Sequence, residues 1–200
     1  LIAEGHQVVV VHGNGPQVGK IQLAFETAQK HDQNIESMPL SESVAMSQGY
    51  IGYHLQNALI SQLEHKKIDK SVATILTHSL VDINDDSFNH PTKPIGPFYT
   101  LDQIKEMRIE HYVEDSGRGY RQVVASPMPI DLLEKKVINH CVDNGDIIIC
   151  AGGGGIPLGK ENDEYINVNA VIDKDASASL LAQLIDADLL IILTAVKQIA

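Results

Sequence analysis

A short run of β-branched residues that ends in glycine constrains this chain more than anything else in it, and the pattern occurs twice. Four valines at 8–11 lead into His12-Gly13-Asn14-Gly15-Pro16, and Ile147-Ile148-Ile149-Cys150 leads into Gly152-Gly153-Gly154-Gly155. An apolar run without alternation predicts a strand buried on both faces, as in parallel sheets. Parallel neighbours need helical crossovers, and the sequence offers them. Helical periodicity runs over about 18–31, where Val18, Ile21, Phe25 and Ala28 share a face. It recurs from Pro39 to about residue 66, with Ser41 as N-cap and Ile51, Leu55, Ala58, Leu59 and Leu63 as the buried stripe. Gly49 and Gly52 inside that helix cost stability, which predicts close packing there. Two more helices are predicted over 130–142 and 173–185, and two more strands over 72–77 and 189–193. Strands alternating with helices predict an α/β chain whose mostly parallel sheet is covered on both faces.

Composition narrows what such a fold can do. The 200 residues suffice for one α/β domain, and with aromatics at 4% and no Trp the core must be built of aliphatic side chains. A net charge of -11 argues against a nucleic-acid partner and against adhesion to an anionic membrane. An anionic ligand would therefore be held by a few placed cations and backbone N–H groups. Cys141 and Cys150 lack metal-ligand spacing and read as reduced core thiols of a cytoplasmic protein. No signal peptide and no long apolar run is evident. Between Asp82 and Pro129 the chain turns rich in Asp, Asn, Pro, Gly and Tyr, too long for a plain loop. This predicts an inserted subdomain at 82–129, with a short helix over 101–108 and a hairpin at Ser116-Gly117-Arg118-Gly119, between core halves 1–81 and 130–200. Leu1 to Gly5 reads as a helix tail and Ala200 follows soon after a predicted strand, so the core is expected to lack both ends.

Ligands of open α/β sheets bind beyond the carboxyl ends of the strands. Glycine there lets backbone N–H groups approach an anion, and a following helix N-terminus adds its dipole. The first glycine loop is no P-loop, since Asn14 to Ile21 has the Gly19-Lys20 pair but fails at both ends, and it misses the dinucleotide fingerprint, with Val18 where the third glycine belongs. Gly13-Asn14-Gly15-Pro16 reads equally as a tight turn or an anion cradle. Four consecutive glycines tilt toward a cradle, since an ordinary turn needs one or two. Lys174, between Asp173 and Asp175, opposes the dipole of the helix it starts. It either points to solvent or meets a phosphate. Lys93 lies among Pro91, Pro94 and Pro97, either in a rigid solvated loop or delivered stiffly to a site.

These motifs stand in a recognisable order. His12-Gly13-Asn14-Gly15-Pro16-Gln17-Val18-Gly19, Asn89-His90-Pro91-Thr92-Lys93-Pro94-Ile95-Gly96-Pro97-Phe98, Gly152-Gly153-Gly154-Gly155-Ile156-Pro157, Val171-Ile172-Asp173-Lys174-Asp175 and Ile192-Leu193-Thr194-Ala195-Val196 resemble the carbamate kinases over the whole chain. The resemblance implies a three-layer α/β/α sandwich with an open central sheet and a small protruding subdomain, assembled as a homodimer. It implies reversible transfer of a phosphoryl group between ATP and carbamate, with ATP/ADP and Mg²⁺, serving ATP synthesis from carbamoyl phosphate in arginine fermentation. It implies that Gly13 and Asn14 hold carbamate and that Gly153 and Gly154 line the reacting centre. Lys174 would contact the phosphates, and Asp175 would orient the lysines. Thr194, Ala195 and Val196 would border the nucleotide, and Lys93 would reach in from the subdomain. The family's first Gly-Gly-Asn loop and a further C-terminal lysine have no counterpart here, so full activity is expected of the complete enzyme. The competing expectations are another acyl-phosphate-forming kinase of this fold, such as one for acetylglutamate, and a non-catalytic nucleotide-binding module.

Overall fold

Two chain segments, 72–81 and 147–161, run side by side in the same direction, and the other elements are arranged on them. The computed structural model describes residues 1–107 and 111–193. In chain order the elements are β1 (Val9–Val10), α1 (Gly15–His31), α2 (Leu40–Lys66), β2 (Val72–Thr74), β3 (His78–Val81), β4 (Lys93–Tyr99), α3 (Leu101–Met107), β5 (Tyr112–Glu114), β6 (Tyr120–Val124), β7 (Pro129–Leu132), α4 (Lys135–Asp143), β8 (Ile147–Ile149), β9 (Ile156–Glu161), β10 (Glu164–Asn167) and α5 (Lys174–Leu184). The first half of each central segment forms an all-parallel sheet in the order β1-β8-β2. The second halves pair again, β3 parallel to β9, inside a mixed sheet in the order β10-β9-β3-β7. Between them the ladder breaks at residues 75–77 on one segment and 150–155 on the other.

Alternation along β2 sorts the helices into layers. Ala73 and Ile75 face the cluster that contains Ile138 of α4 and Leu181 of α5. Thr74 points the other way, onto α2, where its Oγ1 donates to Gln56 Oε1 at 2.9 Å. Helices thus cover both faces of the parallel sheet, and the fold is a three-layer α/β/α arrangement. The three isoleucines of β8 are fully buried, which is what an unalternating run in a doubly covered strand requires. A second cluster joins Val18 of α1 and Leu40 and Val44 of α2 to Val124, Ile156 and Val171.

Residues 82–129 contain a third sheet, antiparallel, in the order β4-β6-β5. Its β4 crosses α1 where Gly19 meets Gly96: a Cβ on Gly19 would stand 3.2 Å from Gly96 Cα. The β5–β6 hairpin turns at Ser116 and Gly117, both at positive φ. Arg118 and Arg121 stack on Phe98 at 4.7 and 5.4 Å, with Asp115 bridging both guanidinium groups.

Four local expectations are corrected, and the structure adds a hairpin. Residues 130–132 are strand, not helix. Buried Leu132 pairs with Ser79 of β3 and Asp131 with Leu80, the register shifts past exposed Ile130, and α4 starts at Lys135. The polar stretch after the glycine run is a hairpin, β9–β10, turned by Asn162 and Asp163 at φ 48 and 66. Two successive positive-φ residues match the right-handed twist of the flanking strands. Ser41 is no N-cap: α2 starts at Leu40 on extended Pro39, and Ser41 is buried in the first turn. The α2 stripe is narrower than expected, with Ala58 exposed, and only one of its glycines packs closely. A Cβ on Gly52 would overlap Thr74, whereas one on Gly49 would meet nothing within 4 Å. Residues 189–193 are not a strand: the leucines and isoleucines there are exposed and pair with no strand among the described residues.

Candidate active site

The break in the central ladder brings the glycine loops together. The 3₁₀ turn Gly152–Gly154 follows β8, and Ala151 and Gly153 to Gly155 all sit at positive φ. Such a backbone explains why the run is glycine. The loop also lacks room for side chains. A Cβ on Gly153 would overlap the Asn14 amide, and one on Gly152 would overlap the His12 ring. Gly153 N donates to His12 O at 2.8 Å, tying the second loop to the first. Burial pushes the His12 imidazole below its usual pKa, against a bond to Gly13 O, so no cation forms there at neutral pH.

The start of α5 closes the other side. Asp173 caps the helix, its Oδ1 accepting from Asp175 N at 2.9 Å and Ala176 N at 3.3 Å. Its Oδ2 accepts from Lys93 Nζ at 2.7 Å. Lys93, through that bond, and the backbone caps together hold the Asp173 carboxyl at about 2. The stem of Lys174 lies over the first loop, where a Cβ on Gly13 would stand 3.3 Å from Lys174 Cδ. The Lys174 ammonium meets Asp175 Oδ2 at 3.1 Å. Gly154 lies under the Ile172 carbonyl.

Of the residues singled out in the sequence, the structure groups Gly13 with Lys174, Asn14 with Gly153, Gly154 with the segment before α5, and Lys93 with Asp173. Asp175 contacts Lys174, while Lys93 is held by its neighbour Asp173. Thr194, Ala195 and Val196 lie outside the described residues. The arrangement can do one kind of chemistry well. Two ammonium groups, each balanced by an aspartate, stand at a helix N-terminus beside loops rich in backbone N–H groups. An arriving polyanion could exchange for those carboxylates and gain the dipole as well.

Sequence reasoning missed the polar groups beneath the loops. Ser47, Gln48, Thr77 and Ser79 are all buried, as is Asn14, which the sequence did single out. Asn14 Nδ2 donates to Ser47 Oγ at 2.8 Å, and Ser79 Oγ donates to Gly154 O at 2.6 Å. Gln48 spans Thr77 and Gly152. The available signal was Ser47-Gln48 in line with Val44 and Ile51, a polar pair on a buried stripe. The cysteines are both unpaired, and burial pushes the Cys150 thiol up to about 12, which leaves it unreactive. Among the described residues no helix is long and apolar enough to cross a membrane.

Comparison with known proteins sets this geometry in context. The chain is 52% identical to the carbamate kinase-like protein YqeA of Escherichia coli (strain K12) over its whole length, covering 65% of that protein. It is 50% identical to a carbamate kinase of Clostridium perfringens, covering 64%. The chain thus spans just under two thirds of the length of these curated relatives. The carbamate kinase of Giardia lamblia, solved bound to AMP-PNP, superposes with a TM-score of 0.83 at 41% identity, over 94% of this chain and 60% of that one. The model of the amino acid kinase family matches residues 1–200. With that family model matched along the whole chain and relatives about 50% identical over its full length, the chain belongs to the amino acid kinase family.

Proposed function

We propose that the whole protein carrying this chain is a carbamate kinase, interconverting ATP and carbamate with ADP and carbamoyl phosphate. The observation that carries the reading is the convergence of Gly13, Asn14, Gly153 and Gly154 on the N-terminus of α5 with Lys93 and Lys174. Relatives of that name at about half identity, matched along the whole chain, support it.

In this reading carbamate rests on Gly13 and Asn14, and the transferring group lies between Gly153, Gly154 and the two lysines. A carbamate oxygen forms the new bond to the γ-phosphorus as the bond to the β-γ bridging oxygen breaks, and ADP leaves with that electron pair. Carbamate is already an anion, so no proton need be removed. That leaves positioning and charge stabilisation as the work of the chain. Lys174 balances the transferring phosphoryl oxygens, oriented by Asp175. Lys93 approaches from the third sheet. Mg²⁺ arrives on the nucleotide phosphates as part of the substrate. Thr194, Ala195 and Val196 border the nucleotide in the same reading, and the protein acts as a cytoplasmic homodimer that makes ATP in arginine fermentation.

The test is a coupled assay of the whole protein for ATP formation from ADP and carbamoyl phosphate with Mg²⁺. Rapid ATP formation is expected. Phosphorylation of acetylglutamate, with carbamoyl phosphate left untouched, would overturn the assignment.

A further inference from the structure

The two central segments are parallel partners before and after the break, and the break is where the glycine loop leaves the ladder. Ile75 N still donates to Ile149 O at 2.9 Å on one side, and Ile156 N donates to Thr77 O at 2.8 Å on the other. Between those rungs the strands separate. Thr77 O keeps Ile156 N and Gly152 O keeps Gly155 N at 3.2 Å, but the buried Thr77 N has no backbone partner across the gap among the described residues and would go unpaired. The Gln48 side chain fills that gap. Its Oε1 accepts from Thr77 N at 2.9 Å, and its Nε2 donates to Thr77 O and to Gly152 O, each at 3.1 Å. Both donors and the acceptor are thereby used, on a side chain only 1% exposed. A side-chain amide has the donor and acceptor of a peptide group, so Gln48 does for this gap what a further rung would do.

We infer that Gln48 is a positioning residue for the reaction: its amide replaces the missing rungs and fixes the Gly152–Gly155 loop in the shape that faces the transferring group. A Leu or Met would suit a buried helix stripe and would spare the cost of burying an amide. Neither could hold Thr77 and Gly152 at a set distance. Thr77 braces the same loop from the second side, its Oγ1 accepting from Ala151 N at 2.9 Å. Ala151 is held at φ 49, a conformation a non-glycine residue keeps only when its surroundings impose it. The preceding residue, Ser47, anchors Asn14 of the first loop. One turn of α2 therefore sets both loops relative to each other.

The inference rests on the proposed phosphoryl transfer for its consequence, but not for its geometry, and the test separates the two. Gln48→Met keeps length and apolar bulk and removes the amide. Thr77→Val removes the hydroxyl alone and carries the test if the first variant does not fold. In the whole protein, Gln48→Met is expected to speed hydrogen exchange of the Gly153 to Ile156 amides by about tenfold or more, with the amides of α4 unchanged. Turnover should fall by about 100-fold with KM for ADP nearly constant, the pattern of a lost transition-state arrangement. Unchanged exchange in the loop overturns the inference. So does faster exchange spread evenly over α4 and α5 with normal turnover per folded molecule, which marks a purely structural residue. A wild-type protein that makes no ATP from carbamoyl phosphate strikes the functional reading instead, and the exchange measurement still decides the role of Gln48.

Discussion

Lys93 Nζ and Asp173 Oδ2 meet at 2.7 Å across 80 residues of sequence. The bond ties the start of β4 to the N-cap of α5, and it puts a cation from the antiparallel sheet at the dipole end where Lys174 also stands. Asp173 therefore has two tasks: one carboxylate oxygen caps the helix and the other holds Lys93. Trading the second contact for a phosphate oxygen would leave the cap intact. Such an exchange lets a lysine reach a substrate without loosening the helix behind it.

Lys93→Ala is expected to slow phosphoryl transfer in single turnover by about 100-fold, the scale for one lost charge-stabilising donor. The dissociation constant of ADP, measured by titration calorimetry, should change by less than about threefold. The reason is position: Lys93 sits against the α5 cap and the glycine loops, with prolines 91, 94 and 97 stiffening its backbone. A large loss of ADP affinity with normal chemistry would move Lys93 into the nucleotide site, and no effect on either would make its bond to Asp173 purely structural.

The same pair predicts a pH dependence with a definite sign. Asp173 is depressed to about 2, chiefly by Lys93. A carboxylate whose folded pKa lies below its unfolded value of about 3.9 adds stability that is complete above that value. That stability is lost as pH falls through about 2. Asp173→Asn should therefore lower the melting temperature at pH 7, and the gap to the wild type should narrow as the pH drops below 4. Both partners are over a third exposed, so solvent screening holds the Lys93 part to about 1 kcal/mol or less. In Lys93→Met, the Asp173 carboxyl followed by NMR should titrate nearer the ordinary range. An unmoved titration would show that the backbone caps alone depress it.

Lys174→Ala should cut turnover by orders of magnitude while hardly moving the melting temperature. Its ammonium is exposed and, among the described residues, paired only with Asp175, a kind of contact worth about 0 to 1 kcal/mol to folding. Against the charge of a transferring phosphoryl group the same ammonium is worth several kcal/mol, by comparison with about 3 for one oxyanion donor. Near-normal turnover would return Lys174 to the role of a solvated surface residue.

The sequence was most legible where one interaction decided the structure. The isoleucines of β8 could only be a buried strand, and Asp173 ahead of Lys174-Asp175 could only start a helix. The valines at 8–11 were expected to be buried on both faces too, but only Val9–Val10 are strand, and they are half-buried at the edge of the β1-β8-β2 sheet among the described residues. The convergence of the glycine loops followed from both lying at strand ends. What stayed hidden depends on partners distant in the chain. Residues 130–132 form a strand because β3 offers them an edge, which no local pattern announces. The β9–β10 hairpin turns on Asn162-Asp163, two residues that tolerate positive φ but also suit any polar loop. Gln48 and Thr77 could not be read as a bridge until the ladder between them was seen to break. Lys93 showed its stiffness in the sequence, but its partner 80 residues on was visible only in the fold.

Gly49 and Gly52, three residues apart in α2, should respond to alanine with opposite signs. Gly49 is exposed and faces open space, so a Cβ there costs nothing in contact. Alanine would stiffen the unfolded chain and favour the helix, and Gly49→Ala should raise stability by about 0.5–1 kcal/mol. At Gly52 the same methyl would overlap the Thr74 side chain. Thr74 cannot simply turn away, because its Oγ1 is bonded to Gln56 and its backbone is paired with β8. The helix must then lift from the sheet or the bond must break, and Gly52→Ala should cost about 1–3 kcal/mol, as overpacking in a tight core does. Urea unfolding of the two variants of the whole protein decides the matter from their midpoints. Destabilisation by both would mean that Gly49 serves a contact the fold of this chain does not reveal, and tolerance of both would mean that α2 can slide over β2. A slide of that kind would also shift Ser47 and Gln48 against the glycine loops, so Gly52→Ala should lose turnover along with stability, and Gly49→Ala should keep it.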